Sequence, residues 1–263
     1  MVKIIDTHTH YAHRMFKNNR EEVVEFLPWQ GIMAVVEAAI GYDSNLKMLE
    51  LCEKYPHVYA SVGVHPVCVE QLNEEKFEKI KNMLSHPKVI AIGETGLDYA
   101  RRKDEEFVER QKTWFRRFLE LSLEVKMPLV IHSREADEDL IRILSEYELP
   151  EHPGIIHCFS GTAGQAKQLM DMGFFLGIGG KFLKHMDENE AFRQVVKDLP
   201  LDKIVLETDA PFLKPDALPG KVNTSLNLRY IAEELAKLKA VDVEIICEAA
   251  LKNTQTLYGT IVR

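Results

Sequence analysis

What this 263-residue sequence lacks narrows it before any motif is considered. Its four cysteines, Cys52, Cys68, Cys158 and Cys247, are widely separated and form no Cys-x-x-Cys pair, so neither a zinc-thiolate knuckle nor a disulfide framework is implied. Free thiols fit a reducing compartment. No run approaches the roughly 20 apolar residues that span a bilayer, and no basic segment followed by a long apolar stretch opens the chain. A cytoplasmic protein with no membrane association is the expectation. Basic residues are in deficit, 33 against 41 acidic ones, for a net charge of −8. This argues against non-specific coating of duplex nucleic acid, which draws on many Lys and Arg contacts to phosphate, but it allows a small patch that handles one or two phosphates. No Gly-x-Gly-x-x-Gly follows the first apolar run, which disfavours a doubly wound open sheet with a dinucleotide loop. With no Pro/Gly/Ser linker and no low-complexity tract, residues 1–263 read as one domain.

What is present is periodic. Eight short apolar runs begin near Lys3, Gly31, Val58, Lys88, Pro128, Gly154, Phe174 and Lys203, each followed by a segment with helical spacing. Near-continuous apolarity is what a strand buried on both faces requires, as in a parallel sheet covered by helices. Asp104 is placed to cap a helix carrying Phe107, Trp114, Phe118 and Val125, with Glu105 and Glu106 in its first turn. Asn73 to Leu84 and Ser225 to Leu238 have similar patterning, and a last helix runs from about Asp242 to near Gly259. Eight strand-helix units in this length predict an α/β fold, a closed TIM (β/α)8 barrel, whose functional residues cluster where strands end.

Those ends carry metal-capable side chains. The first run ends in His8 and His10, two apart and therefore on one face of a strand. The third ends in His65, the fourth in Glu94, the fifth in His132, the sixth in His157, and the eighth in Glu207 and Asp209. Buried there without partners, such groups would cost about several kcal/mol per charge, and a bound cation removes that cost. His65 can equally be a polar cap on its strand. Imidazoles with carboxylates and no thiolates suit zinc, manganese, iron, cobalt or nickel, with magnesium where substrate phosphate adds oxygens. The ligand number exceeds what one catalytic zinc uses, so two divalent ions are expected. Glu94 is the best-placed bridge, because Ile90, Ile92 and Glu94 are read as sharing a face, with glycines on either side leaving room. Two cations about 4 Å apart lower the pKa of bound water from 15.7 towards about 7, which is hydrolytic chemistry. Asp209 would take the proton from water, and Glu207 would lie deeper, as support or as a ligand.

His57, His86 and His152 sit beside prolines at strand starts or in a loop and read as surface residues at the far end, while His13 and His185 follow strands on the side of the site. The basic residues after the fourth, fifth and seventh runs, Arg101 to Lys103, Arg134, Lys181 and Lys184, are candidates for phosphate or carboxylate binding.

Taken together, Asp-Thr-His-Thr-His at 6–10, Gly-Val-His-Pro at 63–66, Gly-Glu-Thr-Gly-Leu-Asp-Tyr at 93–99, Ile-His-Ser-Arg at 131–134, His-Cys-Phe-Ser-Gly at 157–161 and Glu-Thr-Asp-Ala-Pro at 207–211 resemble the TatD family of metal-dependent hydrolases. The resemblance implies an amidohydrolase-like TIM barrel with two divalent metals and deoxyribonuclease activity, often described as a magnesium-dependent exonuclease. It implies His8, His10 and Asp209 as ligands of one metal, His132 and His157 of the other, and Glu94 as the bridge, with His65 and Arg134 contacting substrate. Two departures, Asn223-Thr224-Ser225 and Tyr11-Ala12-His13, touch no ligand and are expected to alter the rim.

The leading expectation is a 3'-5' exodeoxyribonuclease acting on single-stranded or frayed DNA ends with zinc, manganese or magnesium. The alternatives are a metal-dependent ester or amide hydrolase such as a D-aminoacyl-tRNA deacylase, and a metal-binding scaffold without turnover. No protein partner can be inferred.

Overall fold

The chain was described as a computed structural model covering residues 3–183 and 190–259. Strands β1 (Ile4–Thr9), β2 (Ile32–Ala38), β3 (Val58–Val62), β4 (Val89–Asp98), β5 (Leu129–Arg134), β6 (Gly154–Ile156), β7 (Phe175–Ile178) and β8 (Ile204–Leu206) form one parallel sheet in sequence order. Each starts within a residue of the apolar run that announced it. The sheet curls until β8 meets β1. Asp209 N–H donates to His8 O at 3.0 Å and His10 N–H to Ala210 O at 2.7 Å. Asp6 helps to close the seam, its carboxylate accepting from the Thr208 hydroxyl at 2.6 Å and backbone N–H at 3.0 Å.

Helices α1 (Arg20–Phe26), α2 (Tyr42–Lys54), α3 (Glu74–Met83), α4 (Glu105–Val125), α5 (Asp137–Leu144), α6 (Ala163–Asp171), α7 (Glu190–Asp198), α8 (Leu228–Lys239) and α9 (Val243–Tyr258) accompany the strands. The capping residues explain several starts: Asp104 accepts from Phe107 N–H at 3.1 Å, and Asn73 from Lys76 N–H at 2.9 Å. The segment expected to be helical from Ser225 begins with a 3-10 turn, and the α-helix proper starts at Leu228.

The apolar residues divide into an outer layer and an interior. Strand residues such as Val35, Val62, Ile92 and Leu206 pack with helix residues such as Phe115, Phe118 and Ile231. Inside the strand starts, Ile5, Ala34, Val36 and Ile90 pack with Leu251 and Tyr258 of α9, and Ile155, Phe175 and Val205 pack with Leu257 and Tyr258. The last helix thus supplies the floor of the barrel. No helix among the described residues is long and apolar enough to cross a membrane.

β4 corrects one expectation. Ile90 faces the interior and Ile92 the outer layer, so they do not share a face. Between Ile92 and Thr95 β4 advances three residues while β5 advances two, from Leu129 to Ile131. That extra residue, and not an unbroken alternation, brings Glu94 inwards. Nor does Gly96 serve to leave room around Glu94. A Cβ there would lie 2.0 Å from His132 O, so glycine allows β4 to lie against β5.

Candidate active site

At the C-terminal ends of the strands the side chains converge on Glu94, which is 2% exposed. Its Oε2 lies 3.3 Å from His8 Nε2 and 3.6 Å from His10 Nε2. Its Oε1 lies 2.9 Å from His132 Nδ1 and 3.9 Å from His157 Nε2. The carboxylate thus faces one pair of imidazoles with each oxygen. Asp209 Oδ1 stands 3.3 Å from His10 Nε2 and 3.9 Å from both His8 and His157 Nε2. Asp209 has φ +58°, a left-handed backbone uncommon for a side chain other than glycine, and it occurs here beside its bond to β1. Among the described residues four groups bring their ligand atoms within 4.8 Å of one another: His8/His10/Glu94, Glu94/His132/His157, His8/His157/Glu207 and His65/Asp98/His132.

Polar groups at the far side of His10, His132 and His157 decide which nitrogen presents a lone pair. His10 Nδ1 donates to Ala38 O at 2.8 Å, leaving Nε2 of the neutral ring free to coordinate. His132 Nε2 lies 3.1 Å from Asp98 Oδ2, and His157 Nδ1 lies 3.0 Å from Glu207 Oε1, so carboxylates favour the proton on the side away from Glu94. His65 is the reverse. Its Nδ1 accepts from Val67 N–H at 3.1 Å, so its neutral ring carries the proton on Nε2, 3.2 Å from His132 Nδ1 and 3.6 Å from Glu94 Oε1. Burial pushes His65 down to about 3, which keeps the ring neutral. His65 therefore caps the turn after β3, as one reading of the sequence had it, and also points an N–H into the site. With its lone pair engaged on Val67, it is a donor there.

The sequence profile of the family described as TatD related DNase matches residues 5–259. The chain belongs to the TatD family. It is 35% identical over 255 residues to the uncharacterized metal-dependent hydrolase YabD of Bacillus subtilis, covering 97% of this chain and 98% of that one. It is 28% identical over 265 residues to the 3'-5' ssDNA/RNA exonuclease TatD of Salmonella typhimurium, covering 98% and 100%. The crystal structure of the Escherichia coli TatD homologue YjjV superposes with a TM-score of 0.90 at 29% identity, covering 98% of each chain. The protein is thus a TatD-family metal-dependent hydrolase, and its His, Glu and Asp clusters are of a kind that could bind metal.

In this TatD barrel, electrostatics separate the imidazoles in the absence of metal. Burial opposes charge on every one. Burial is the largest single influence, but the carboxylates together outweigh it, with Glu207 foremost at His157, raised to about 10, and Asp209 foremost at His10, raised to about 9. His8, also crowded by His157, stays below its usual value. Burial alone would raise Glu94, but His65, His8 and His132 hold it well below the ordinary carboxylate range. With the His10 proton on Nδ1, its Nε2 lone pair faces His8 Nε2 at 3.1 Å, and His8 Nδ1 is buried without a hydrogen-bond partner among the described residues.

Asp98 escaped the sequence reading although it lies within a quoted motif. Its place follows from continuing the alternation past the irregularity, Glu94, Gly96, Asp98, and its backbone is held by the buried Gln111 of α4, which accepts from Asp98 N–H at 2.8 Å and donates to Asp98 O at 2.9 Å. Glu207 lies behind His157, where it also accepts from Cys158 N–H at 2.7 Å. A Cβ on Gly177 would come within 2.2 Å of its Oε2, so glycine is needed to seat it.

The site opens into a cavity of about 670 Å³ whose lining includes Arg14, Lys47, Arg101, Arg134, His13, Met15 and Phe212. Of the Arg101 to Lys103 run, only Arg101 lines it. Arg102 is paired with Glu70 and Asp104 and Lys103 with Glu135. Lys181 turns to the Ser160 hydroxyl at 2.7 Å and is not part of the lining. Lys184 and His185 fall outside the described residues. His57, His86 and His152 are half-buried rather than fully solvated, His57 Nε2 lying 2.9 Å from Val24 O.

The two sequence departures do not simply alter the rim. Tyr11 and Ser225 are buried against each other: the Tyr11 hydroxyl donates to Ser225 Oγ at 2.8 Å and accepts from Ser225 N–H at 2.9 Å. Only Ala12 and His13 of these segments reach the cavity. Glu37 accepts from the Thr9 hydroxyl at 2.9 Å and Tyr11 N–H at 2.8 Å, and Arg20 donates to Ala12 O at 3.0 Å. The loop after β1 is held from both sides.

Proposed function

We propose that this protein is a divalent-metal-dependent deoxyribonuclease that hydrolyses phosphodiester bonds at single-stranded or frayed DNA ends in the 3'-5' direction. The observation that carries this reading is one cavity that combines the buried imidazole-carboxylate cluster with arginines that have no carboxylate partner among the described residues. His8, His10 and Asp209 would hold one ion, His132 and His157 a second, with Glu94 shared; zinc, manganese and magnesium are the candidates. Such a pair supplies Lewis acidity to the attacking water and to a phosphoryl oxygen.

The protein's own groups do the rest. Asp209, whose side chain is 14% exposed against 2% for Glu94, is the carboxylate that a water in the cavity can reach, and it takes the proton as the water oxygen bonds to phosphorus. The bond from phosphorus to the leaving oxygen breaks, and the proton passes to that oxygen. His65 Nε2–H donates to the charge growing on the phosphoryl oxygens. Arg134 neutralises phosphate at the cavity wall. Asp98 and Glu207 fix the tautomers of His132 and His157. Phe212, 38% exposed, and Met15 offer an apolar surface on which a base can rest.

The test is to strip metal, restore manganese, magnesium or zinc singly, and assay end-labelled single-stranded, duplex and RNA oligonucleotides beside mischarged tRNA. Metal-dependent shortening of single-stranded DNA from the 3' end is expected. Full activity in His132→Ala and Asp209→Asn would overturn the mechanism, and turnover of mischarged tRNA alone would replace the substrate.

A further inference from the structure

We propose that His13 and Phe212 form a preset nucleobase subsite at the rim of the cavity, with Glu37 and Arg20 as the residues that position its loop, so that a good substrate carries a base beside the scissile phosphate. This rests on the proposed phosphodiester chemistry and adds to it what the protein reads next to the bond it cuts.

Both rings are fixed by turns that begin at residues of the donor cluster. His13 N–H donates to His10 O at 3.0 Å, and Phe212 N–H donates to Asp209 O at 2.7 Å. The bond from His10 N–H to Ala210 O joins the two turns. The Phe212 ring centre consequently lies 5.3 Å from that of His13 and 5.8 Å from that of His10, each at an interplanar angle of 62°. Neither imidazole lies flat against the phenyl ring, which lines the cavity with an exposed face. Exposure alone would point to no ligand, because Phe26, Trp29 and Leu226 are exposed as well, but those three are not part of the cavity lining.

The loop that carries His13 is held by a buried charge. Glu37 is fully buried and makes no ion pair among the described residues; its carboxylate accepts from the Thr9 hydroxyl and from Tyr11 and Ala12 N–H, all neutral donors. From the other side the Arg20 guanidinium donates to Tyr11 O, to Ala12 O at 3.0 Å and to His13 O at 3.3 Å. Burying a carboxylate without a cation disfavours folding, so stability alone does not account for Glu37. What the clamp secures is the course of the chain into His13. There Nδ1 accepts from Met15 N–H at 3.3 Å, which leaves the donor of the neutral ring on Nε2. A phenyl face beside an N–H suits a flat ring with acceptors on its edge. Every base has a π-face and at least one edge acceptor, so the subsite is tolerant of sequence. A phosphodiester without a base forfeits the stack.

The experiment compares kcat/KM of metal-loaded protein on a single-stranded DNA tetramer with that on the same tetramer made wholly of abasic deoxyribose phosphate. Wild type should favour the first by about tenfold or more, the factor for one base–aromatic stack. Phe212→Ala should bring this ratio towards unity, and Phe212→Trp should restore it, because tryptophan offers the same kind of face. His13→Ala and Glu37→Gln should each lower it by about threefold, the factor for a hydrogen bond. Trp29→Ala, which removes an exposed ring outside the cavity, should leave it within about twofold. A second readout is fluorescence anisotropy of the two tetramers, labelled at the 5' end, on wild type and Phe212→Ala. Equal turnover of both tetramers by wild type would overturn the subsite and leave the proposed function standing. If wild type cleaves neither, yet binds the DNA tetramer at least about tenfold tighter than the abasic one and Phe212→Ala removes that difference, the subsite stands and the proposed function is wrong. A Phe212→Ala protein that loses both substrates in the same proportion overturns the subsite, since the ring then serves only the structure of the donor cluster. A ratio unchanged in Glu37→Gln overturns the positioning role.

Discussion

The half of the donor cluster built from β1 and the chain after β8 differs from the half built from β5 and β6 in what stands behind its imidazoles. In the first, His10 is backed by the carbonyl of Ala38, and Asp209 opens towards the cavity. In the second, His132 is backed by Asp98 and His157 by Glu207, both carboxylates buried with them. A carboxylate behind an imidazole raises its basicity and fixes its orientation more strongly than a carbonyl does. On the two-ion reading proposed above, the difference implies a division of labour within one site: the second half would hold an ion firmly, and the first would hold one where water and substrate come and go.

The largest expected effect tests whether the halves share a hinge. Glu94→Gln removes the group common to both, and should lower kcat/KM by at least about a thousandfold with loss of both equivalents of bound metal, measured by elemental analysis. Retention of one firmly held ion would separate the halves. Asp209→Asn should reduce kcat by about a hundred- to ten-thousandfold while one equivalent of metal stays bound, since the second half is untouched. Loss of both ions would mean that the halves do not act independently. Asp98→Asn and Glu207→Gln should each weaken binding of one ion by about ten- to a hundredfold, with activity restored by excess metal. Unchanged affinity in a metal titration would remove the carboxylate contrast altogether. The smallest effect lies beneath the first half: Tyr11→Phe should cost about 1–3 kcal/mol in urea unfolding, because it leaves the buried Ser225 N–H without its acceptor, with metal content unchanged. Losses of Tyr11→Phe and Ser225→Ala that simply add would show that the contact carries no coupling.

The same contrast bears on what could be seen in the sequence. The barrel was legible because eight strands buried on both faces leave eight apolar runs, and His8, His10, His132 and His157 were legible because they close such runs. Glu94 was found by an alternation that β4 does not follow, since an extra residue in that strand cannot be seen without its partner β5. Asp98 lay past the point where the apolar pattern ended, and its role depends on His132, a contact between strands. Arg14 and Lys47 had no signal at all, because one sits in a turn and the other on a helix, and only the barrel's curvature brings them to the cavity of Arg101 and Arg134. Tyr11 and Ser225 read as a change of rim because sequence neighbours of a ligand look exposed. Their 2.8 Å contact joins residues 214 positions apart.

The floor made by Leu251, Leu257 and Tyr258 of α9 has a kinetic meaning. With the strand starts packed by α9, the cavity at the strand ends is, among the described residues, the mouth through which substrate, water and product would reach the donor cluster. For the exonuclease proposed above, traffic through it is sequential: a cleaved nucleotide must leave before the next segment of chain can settle. On that reading product would compete with substrate at the same mouth, and product release is the step expected to limit kcat when metal is plentiful.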